Sequence, residues 1–525
     1  MSTVSAPQHE LTAAAPRSAA RLPAWWPLAA LTLLAAVLRL STLDLQSFWY
    51  DEAFTPVHVL HASLSATLRG VVHTENTPPL WYVLAWADSR VLGNGEIALR
   101  LPSALAGIAT VPVAWMIGRE LAGRRAAILA AALVAVNPLL VWYSQEARAY
   151  GLFVLMAALS MLCFLRAMRE PTGRHMAAFA LAGSLALLTH YFAVFLLIPM
   201  ALLLLGDRAR RRAALPAIAV IVAVGLALLP LISAQGGHGT QWIGRWPLSE
   251  RLQAILQYYL TGYSGSSLGH GVELLVALPI IAGIGLALWS MAGTPPTRSS
   301  PPDGAPARVE TPGDGREGAS GRGALTALLI AAGGVLIPIV LALLGADYLA
   351  PRNLVAAMIP VTALIAVLVV TPSSGRAGVA LAVAIVLVFL AISVDVDLSP
   401  RLQRGNWRGV AAALRNGARD RAITTVQLGA APLEYYLPGL HNLRRGGSAT
   451  VSEIDETGYS PLRASAGRPP AQGFSLAARR NIDGLIVYRF VSSVPRSVTE
   501  VALRRHVITL AHPEVLVPRG VPRPR

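Results

Sequence analysis

The feature that most restricts this chain is a series of long apolar runs. They lie near residues 24–43, 98–118, 126–143, 149–168, 175–189, 191–206, 213–233, 271–292, 324–345, 353–371 and 376–394. A helix needs about 20 apolar residues to cross a bilayer, so the pattern predicts about eleven spans. Charged residues make up only 14% of the chain and mean hydropathy is +0.53. A soluble protein carries about a quarter charged residues. The expected fold is therefore an all-α polytopic membrane protein.

The formal net charge is +16, and every basic residue is arginine. Many of these arginines fall in loops between spans, where basic residues mark the cytoplasmic side. The charge thus points to a lipid bilayer and away from nucleic acid. Cys163 is the single cysteine and lies inside an apolar run, which excludes an internal disulfide and a thiolate metal centre.

Loop charge also orders the chain across the membrane. Arg119, Arg124, Arg125, Arg166, Arg169, Arg208 and Arg210–Arg212 fall on one side only if Pro79–Gly93 does not cross. That segment is apolar but about 14 residues long and carries Asp88 and Arg90, which suits an interfacial helix. The threading places the N-terminus in the cytoplasm. It places 44–97, 144–148, His190–Tyr191, 234–270 and 346–352 outside.

Residues 1–23 are polar and Ala/Pro-rich and are expected to be disordered cytoplasmic chain. The catalytic membrane domain would span 24–394, interrupted by a Pro/Gly/Ser-rich flexible cytoplasmic loop at 294–323. Residues 395–525 read as a small extracytoplasmic α/β domain. Its expected elements are helices at Trp407–Asn416 and Val498–His506 and strands at Ala422–Leu428 and Gly484–Phe490.

The five external segments hold most of the unusual polar residues. The first contains Trp49-Tyr50-Asp51-Glu52-Ala53, two carboxylates after interfacial aromatics, and then His73-Thr-Glu75-Asn76-Thr-Pro78-Pro79. A carboxylate near a low-dielectric boundary is a better base, although such a pair can also be ordinary solvated loop. Glu75 and Asn76 also suit helix caps. The second segment has Glu146 and Arg148, and the fifth has Arg352 at the outer start of a span. Arginine there suits a phosphate at membrane depth, or simple snorkelling.

The order WYDEAF, ENTPPLWY, RLPSALAG (Arg100–Gly107), YSQEARAY, HYF and YLAPRN resembles the GT-C fold glycosyltransferases, of the protein mannosyltransferase and aminoarabinose transferase type. The likeness covers about 25–394 and is strongest over 45–155. It implies inverting transfer of a sugar, mannose or similar, from a polyprenyl-phosphate carrier to a hydroxyl of a lipid, glycan or protein. It implies an acidic base at Asp51, with Glu52 beside it and Glu146 as a further catalytic acid residue. Arg352, Arg148 and His190 would meet the donor phosphate. Glu52 or Glu75, with His238 or His270 of the fourth segment, would hold a divalent cation, since acidic and histidine ligands suit Mg, Mn or Zn. Two features depart from the pattern. Asn76 and Thr77 stand where aminoarabinose transferases carry a lysine, and no paired repeats follow the membrane part as in eukaryotic protein mannosyltransferases. A multispan transporter, or a carrier-binding membrane protein without catalysis, is the alternative. A transporter should carry its charges mid-span, whereas these lie at outer span ends.

Overall fold

A computed structural model describes residues 25–292 and 314–519, apart from 239, 241, 270, 371–374, 507 and 509–512. The N-terminal segment and His270 lie outside the described residues.

Every predicted apolar run is helical. The chain enters through α1 (Trp26–Leu40), and the first external segment folds into α2 (Tyr50–Phe54), α3 (Leu64–Thr74) and α4 (Leu80–Leu92). At 1.5 Å per residue the 13 residues of α4 reach only about 20 Å. That is shorter than the hydrocarbon core of a bilayer, about 30 Å, and is the length of an interfacial helix. The bundle continues through α5 (Glu96–Ala122), α6 (Arg124–Val136), α7 (Pro138–Ser144), α8 (Tyr150–Arg169), α9 (Gly173–Thr189), α10 (Ala193–Gly206), α11 (Arg208–Ala227) and α12 (Leu229–Gln235). It closes with α13 (Leu248–Thr261), α14 (Gly271–Ala292), α15 (Asp314–Leu343), α16 (Met358–Val369) and α17 (Gly375–Leu398). Helix α15 begins at Asp314, so the loop expected over 294–323 is helical in its last ten residues.

Six helices among the described residues are long and apolar enough to span, or seven with the bent α6–α7 pair. The other four predicted spans are α1, α9, α10 and α14. Exposed leucines such as Leu181, Leu202, Leu278 and Leu387 cover the outside of the bundle. That is a surface made for hydrocarbon.

The 55° bend between α6 and α7 has a local cause. Pro138 lacks an N–H and forces Asn137 out of helical geometry, and the Asn137 side chain caps α7 through Leu140 N–H at 3.1 Å. The carbonyls freed at the end of α6 are not lost to hydrocarbon. The fully buried Arg39 donates to Val134 O at 3.0 Å and Ala135 O at 2.8 Å, and reaches Ser144 Oγ at 3.2 Å. Gly107 leaves the room for this, because a Cβ there would lie 2.1 Å from Ser144 Oγ and 2.9 Å from Arg39 Nε.

The C-terminal domain is α/β, as expected. It consists of α18 (Trp407–Leu414), β1 (Arg421–Val426), α19 (Ala430–Tyr436), β2 (Leu440–Asn442), β3 (Ser448–Tyr459), β4 (Ser475–Ile482), β5 (Leu485–Thr499), α20 (Glu500–Arg505) and β6 (Pro513–Pro518). The sheet order is β2-β6-β1-β3-β5-β4, with β1 parallel to β3 and the other pairs antiparallel. Val498 and Thr499 end β5, so the expected helix at 498–506 starts two residues later. The domain rests on the first external segment. Tyr436 Oη bonds Glu96 and accepts from Phe48 N–H at 2.7 Å, Arg408 pairs with Glu96, and Tyr435 Oη donates to Asn94 O at 2.9 Å.

Candidate active site

All five segments assigned to one side by loop charge converge on one cavity of about 1190 Å³. Its mouth is polar, lined by Asp51 and Glu75 from the first segment, Arg148 from the second and His190 from the third. His238, Trp242 and Arg245 come from the fourth, and Arg352 ends the fifth. Inward the lining turns apolar. Leu187, Leu197, Ile198, Ile221, Val222 and Leu226 form a groove between α9, α10 and α11, with Leu341 of α15. Ile198, Val222 and Leu226 are also exposed on the bundle surface, so the groove opens sideways.

Asp51 and Glu52 lie on α2, where consecutive residues point about 100° apart. Only Asp51 faces the cavity. Its Oδ2 accepts from Arg352 Nη1 at 2.5 Å, and no hydrogen bond among the described residues engages its Oδ1. Arg352 lies 5.2 Å from the Trp242 ring centroid, and its Nε and Nη2 make no other hydrogen bond among the described residues. Arg352 can therefore hold Asp51 and still present donors to a second anion.

Glu52 is turned into the wall and is fully buried. Arg100 grips both its oxygens at 2.7 Å, and Ala147 N–H donates at 2.9 Å. Burial alone would raise its pKa, but Arg100 and Arg404 outweigh this and hold it below the usual carboxylate range. The structure thus separates Glu52 from the reacting groups assigned to it. Its bonds tie the first segment to α5 and to the second segment.

Glu146 is also absent from the cavity lining. It is fully buried, neither oxygen has a hydrogen-bond partner among the described residues, and Arg404 lies 3.7 Å from its Oε2. Burial pushes its pKa up to about 7, against the pull of Arg404. Arg404 comes from the link into the C-terminal domain. It sits 4.0 Å over the Trp142 ring, 3.7 Å from Glu52 Oε2, and donates to Trp142 O at 3.3 Å. The two catalytic roles expected of Glu52 and Glu146 therefore fall to carboxylates behind the wall, while Asp51 alone of the three reaches the cavity.

Glu75 ends α3 and does not cap α4, whose start has no side-chain cap. Both Glu75 oxygens instead accept from Arg148, at 2.9 and 2.8 Å. Arg148 also donates to Asp51 O at 3.4 Å. His190 stacks on Phe153 at 4.6 Å, and its Nδ1 accepts from Phe192 N–H at 3.2 Å. Burial, then the charges of Arg352 and Arg148, lower its pKa to about 3. His190 is thus a neutral imidazole whose Nδ1 accepts, which leaves Nε2 as an N–H donor.

The expected metal set is only partly assembled. Glu75 and His238 line the same cavity, and His238 Nδ1 is buried without a hydrogen-bond partner among the described residues. Yet both Glu75 oxygens are taken by Arg148, and no group of three ligating side chains occurs among the described residues. A cation at Glu75 would have to displace Arg148.

Several working residues carried little signal in sequence. Gln235 donates to Val71 O and Thr77 O at 3.0 Å each and accepts from Tyr191 Oη at 2.7 Å, locking three of the five segments together. Arg251 grips Asp347 at 2.6 and 2.7 Å and fixes the loop before Arg352. Arg100 did leave a trace, because an arginine at the edge of an apolar run needs a partner. Counting the cavity lining, three arginines (Arg148, Arg245, Arg352) face two carboxylates, Asp51 and Glu75. One positive charge is left over, which favours an anionic ligand.

A family model described as dolichyl-phosphate-mannose-protein mannosyltransferase matches residues 76–233. The chain resembles ArnT from Cupriavidus metallidurans, solved bound to undecaprenyl phosphate, with a TM-score of 0.53 at 13% identity, covering 89% of this chain and 98% of that one. The apo state of the same protein gives 0.54 at 13% identity, covering 88% and 97%. The Archaeoglobus fulgidus oligosaccharyltransferase in complex with Zn and sulfate overlaps more loosely, with a TM-score of 0.44 at 16% identity over 78% of this chain and 57% of that one. A search of curated protein sequences finds no match.

Proposed function

We propose that this chain, with the GT-C fold it shares with ArnT, is a membrane glycosyltransferase that takes a sugar from a polyprenyl-phosphate carrier. The observation that carries this reading is the Asp51–Arg352 pair at the polar mouth of a cavity whose apolar groove opens sideways. A base, a phosphate-sized cationic site and a slot for a hydrocarbon chain are the three parts such a donor requires. ArnT was solved with undecaprenyl phosphate, and a carrier of that class suits the groove here.

In the proposed reaction Asp51 Oδ1 accepts the proton of the acceptor hydroxyl. The hydroxyl oxygen attacks the anomeric carbon, and the bond from that carbon to the phosphate oxygen breaks. Attack from the side opposite the phosphate inverts the anomeric centre. A glycosidase must protonate an alkoxide leaving group with a second carboxyl, but polyprenyl phosphate leaves as a stable anion. Arg352 takes up that charge, and Arg148 and His190 Nε2–H complete the phosphate contacts. Mannose or a related sugar is the proposed cargo, with a lipid, glycan or protein as acceptor. A divalent cation (Mg, Mn or Zn) would enter at Glu75 and His238 only in exchange for Arg148.

The reading places the N-terminus in the cytoplasm of a plasma or inner membrane and the C-terminal domain outside. Impermeant thiol labelling in a Cys163→Ala background tests this sidedness. A cysteine at position 450 should react in intact cells, and one at 310 should not. The activity itself is tested by incubating purified protein with lipid-linked sugars extracted from membranes and following their loss by mass spectrometry. Unchanged donor levels with every extract and acceptor fraction would remove the assignment.

A further inference from the structure

The cavity has one wall that the membrane domain does not build. Gln427 and Leu428, in the turn between β1 and α19 of the C-terminal domain, line it together with Tyr50, Asp51 and Phe54. The turn leaves the carboxyl end of β1, which runs parallel to β3, and ligands of α/β sheets commonly gather at that end. Helix α19 packs against α2, and Trp407 stacks edge-on to Tyr50 at 5.9 Å, so the turn is fixed to the segment carrying Asp51.

The backbone of this turn is unusual. Leu428 has φ +67°, the left-handed region that favours glycine. The glycine is next door instead. Gly429 is needed for close packing, since a Cβ there would meet Thr425 Oγ1 at 2.4 Å and the Trp407 ring at 2.9 Å. From behind, the Glu514 carboxylate accepts from Ala430 N–H at 2.9 Å and fixes the turn where it enters α19. The Leu428 side chain gains no burial in return and remains 45% exposed. A turn that needed only the left-handed conformation would be better served by glycine. What glycine lacks is the apolar side chain at the cavity.

We propose that Leu428 is a specificity-determining residue that keeps water from replacing the acceptor hydroxyl at Asp51, with the Gln427–Gly429 turn forming the acceptor-side wall. This rests on the reading of the cavity as a donor site. In the side reaction, water attacks the anomeric carbon and gives its proton to Asp51. The carbon–phosphate oxygen bond breaks, and free sugar and polyprenyl phosphate result. An apolar side chain at the mouth disfavours water there, while an acceptor that covers Leu428 displaces it.

The test uses the full-length protein in detergent, a pool of polyprenyl-phosphate-linked sugars extracted from membranes, and no added acceptor. Leu428→Gly relieves the backbone strain, so its unfolding temperature should equal or exceed that of the wild type. Free sugar release should rise about tenfold, while binding of undecaprenyl phosphate stays unchanged. Leu428→Met keeps the apolar bulk and should release sugar at the wild-type rate. Equal release from Leu428→Gly and wild type overturns the proposal, as does raised release from Leu428→Met. Wild-type protein that fails to bind undecaprenyl phosphate overturns the donor reading instead.

Discussion

Arg352 Nη1 lies 2.5 Å from Asp51 Oδ2, joining residues 301 positions apart at the mouth of one cavity. The residue proposed to receive the acceptor proton and the residue proposed to receive the leaving charge are therefore in direct contact. Because Arg352 holds Asp51 through Nη1 alone, its remaining donors would meet the phosphate while Asp51 Oδ1 stays open to the acceptor proton.

Replacing Arg352 tests the phosphate half of that pair. Arg352→Ala should weaken undecaprenyl phosphate binding at least about tenfold and cut turnover by about 10²-fold or more, with the protein still inserted. Arg352→Lys should recover only part of both, because lysine cannot hold two anions through a planar fork. Full turnover in Arg352→Ala would remove Arg352 from the site.

The buried Arg100–Glu52 pair should behave as a fastening. Removing one partner strands a charge with no solvent access, at a cost of about 3–5 kcal/mol. Arg100→Met and Glu52→Gln should both lower the unfolding temperature and yield. An unfolding temperature unchanged in both variants would contradict a structural role and return Glu52 to the catalytic candidates.

Glu146 supplies a pH-dependent term in stability. Its folded pKa, pushed up to about 7 by burial, lies above the unfolded carboxylate value. Between the two values the unfolded chain has released a proton that the folded protein still holds, so stability falls as pH rises through this window. Above pH 7 the penalty is complete, of order 1–3 kcal/mol. Glu146→Gln removes it, and the variant's advantage over wild type should grow from pH 5 to pH 8. Parallel unfolding curves at both pH values would show that the Glu146 carboxyl is not strained by burial.

The pairing of Glu75 with Arg148 bears on metal dependence. With the phosphate charge met by arginines, prolonged chelation should leave turnover within about twofold of the untreated protein. Loss of turnover on chelation, restored by Mg, Mn or Zn, would instead make Glu75 and His238 ligands and free Arg148 for the donor.

Much of this was legible in sequence because the membrane imposes simple rules. Apolar length marked the long helices of the bundle but not the short α3 and α13, and arginine asymmetry grouped five segments that the structure joins at one cavity. Asp51, Glu75, Arg148, His190, His238 and Arg352 were recognisable as polar residues at span ends, and all six line that cavity. The sequence could not separate Asp51 from Glu52, because the turn of a five-residue helix decides which of two neighbours faces inward. Nor could it foresee Arg404, whose partners Glu52 and Glu146 lie more than 250 residues earlier. Leu428 was read as the end of a strand and gave no hint of its place at the mouth, because only the docking of the second domain brings it there.

The central claim is that Asp51 is the base, and Asp51→Asn tests it most directly. The substitution keeps size and hydrogen bonding but removes the proton acceptor and the counter-charge of Arg352. With purified protein and extracted lipid-linked sugars, turnover should fall about 10²–10⁴-fold. Binding of undecaprenyl phosphate should persist or tighten, since Arg352 is released to the phosphate. Near wild-type turnover in Asp51→Asn, or loss of undecaprenyl phosphate binding, would contradict the account.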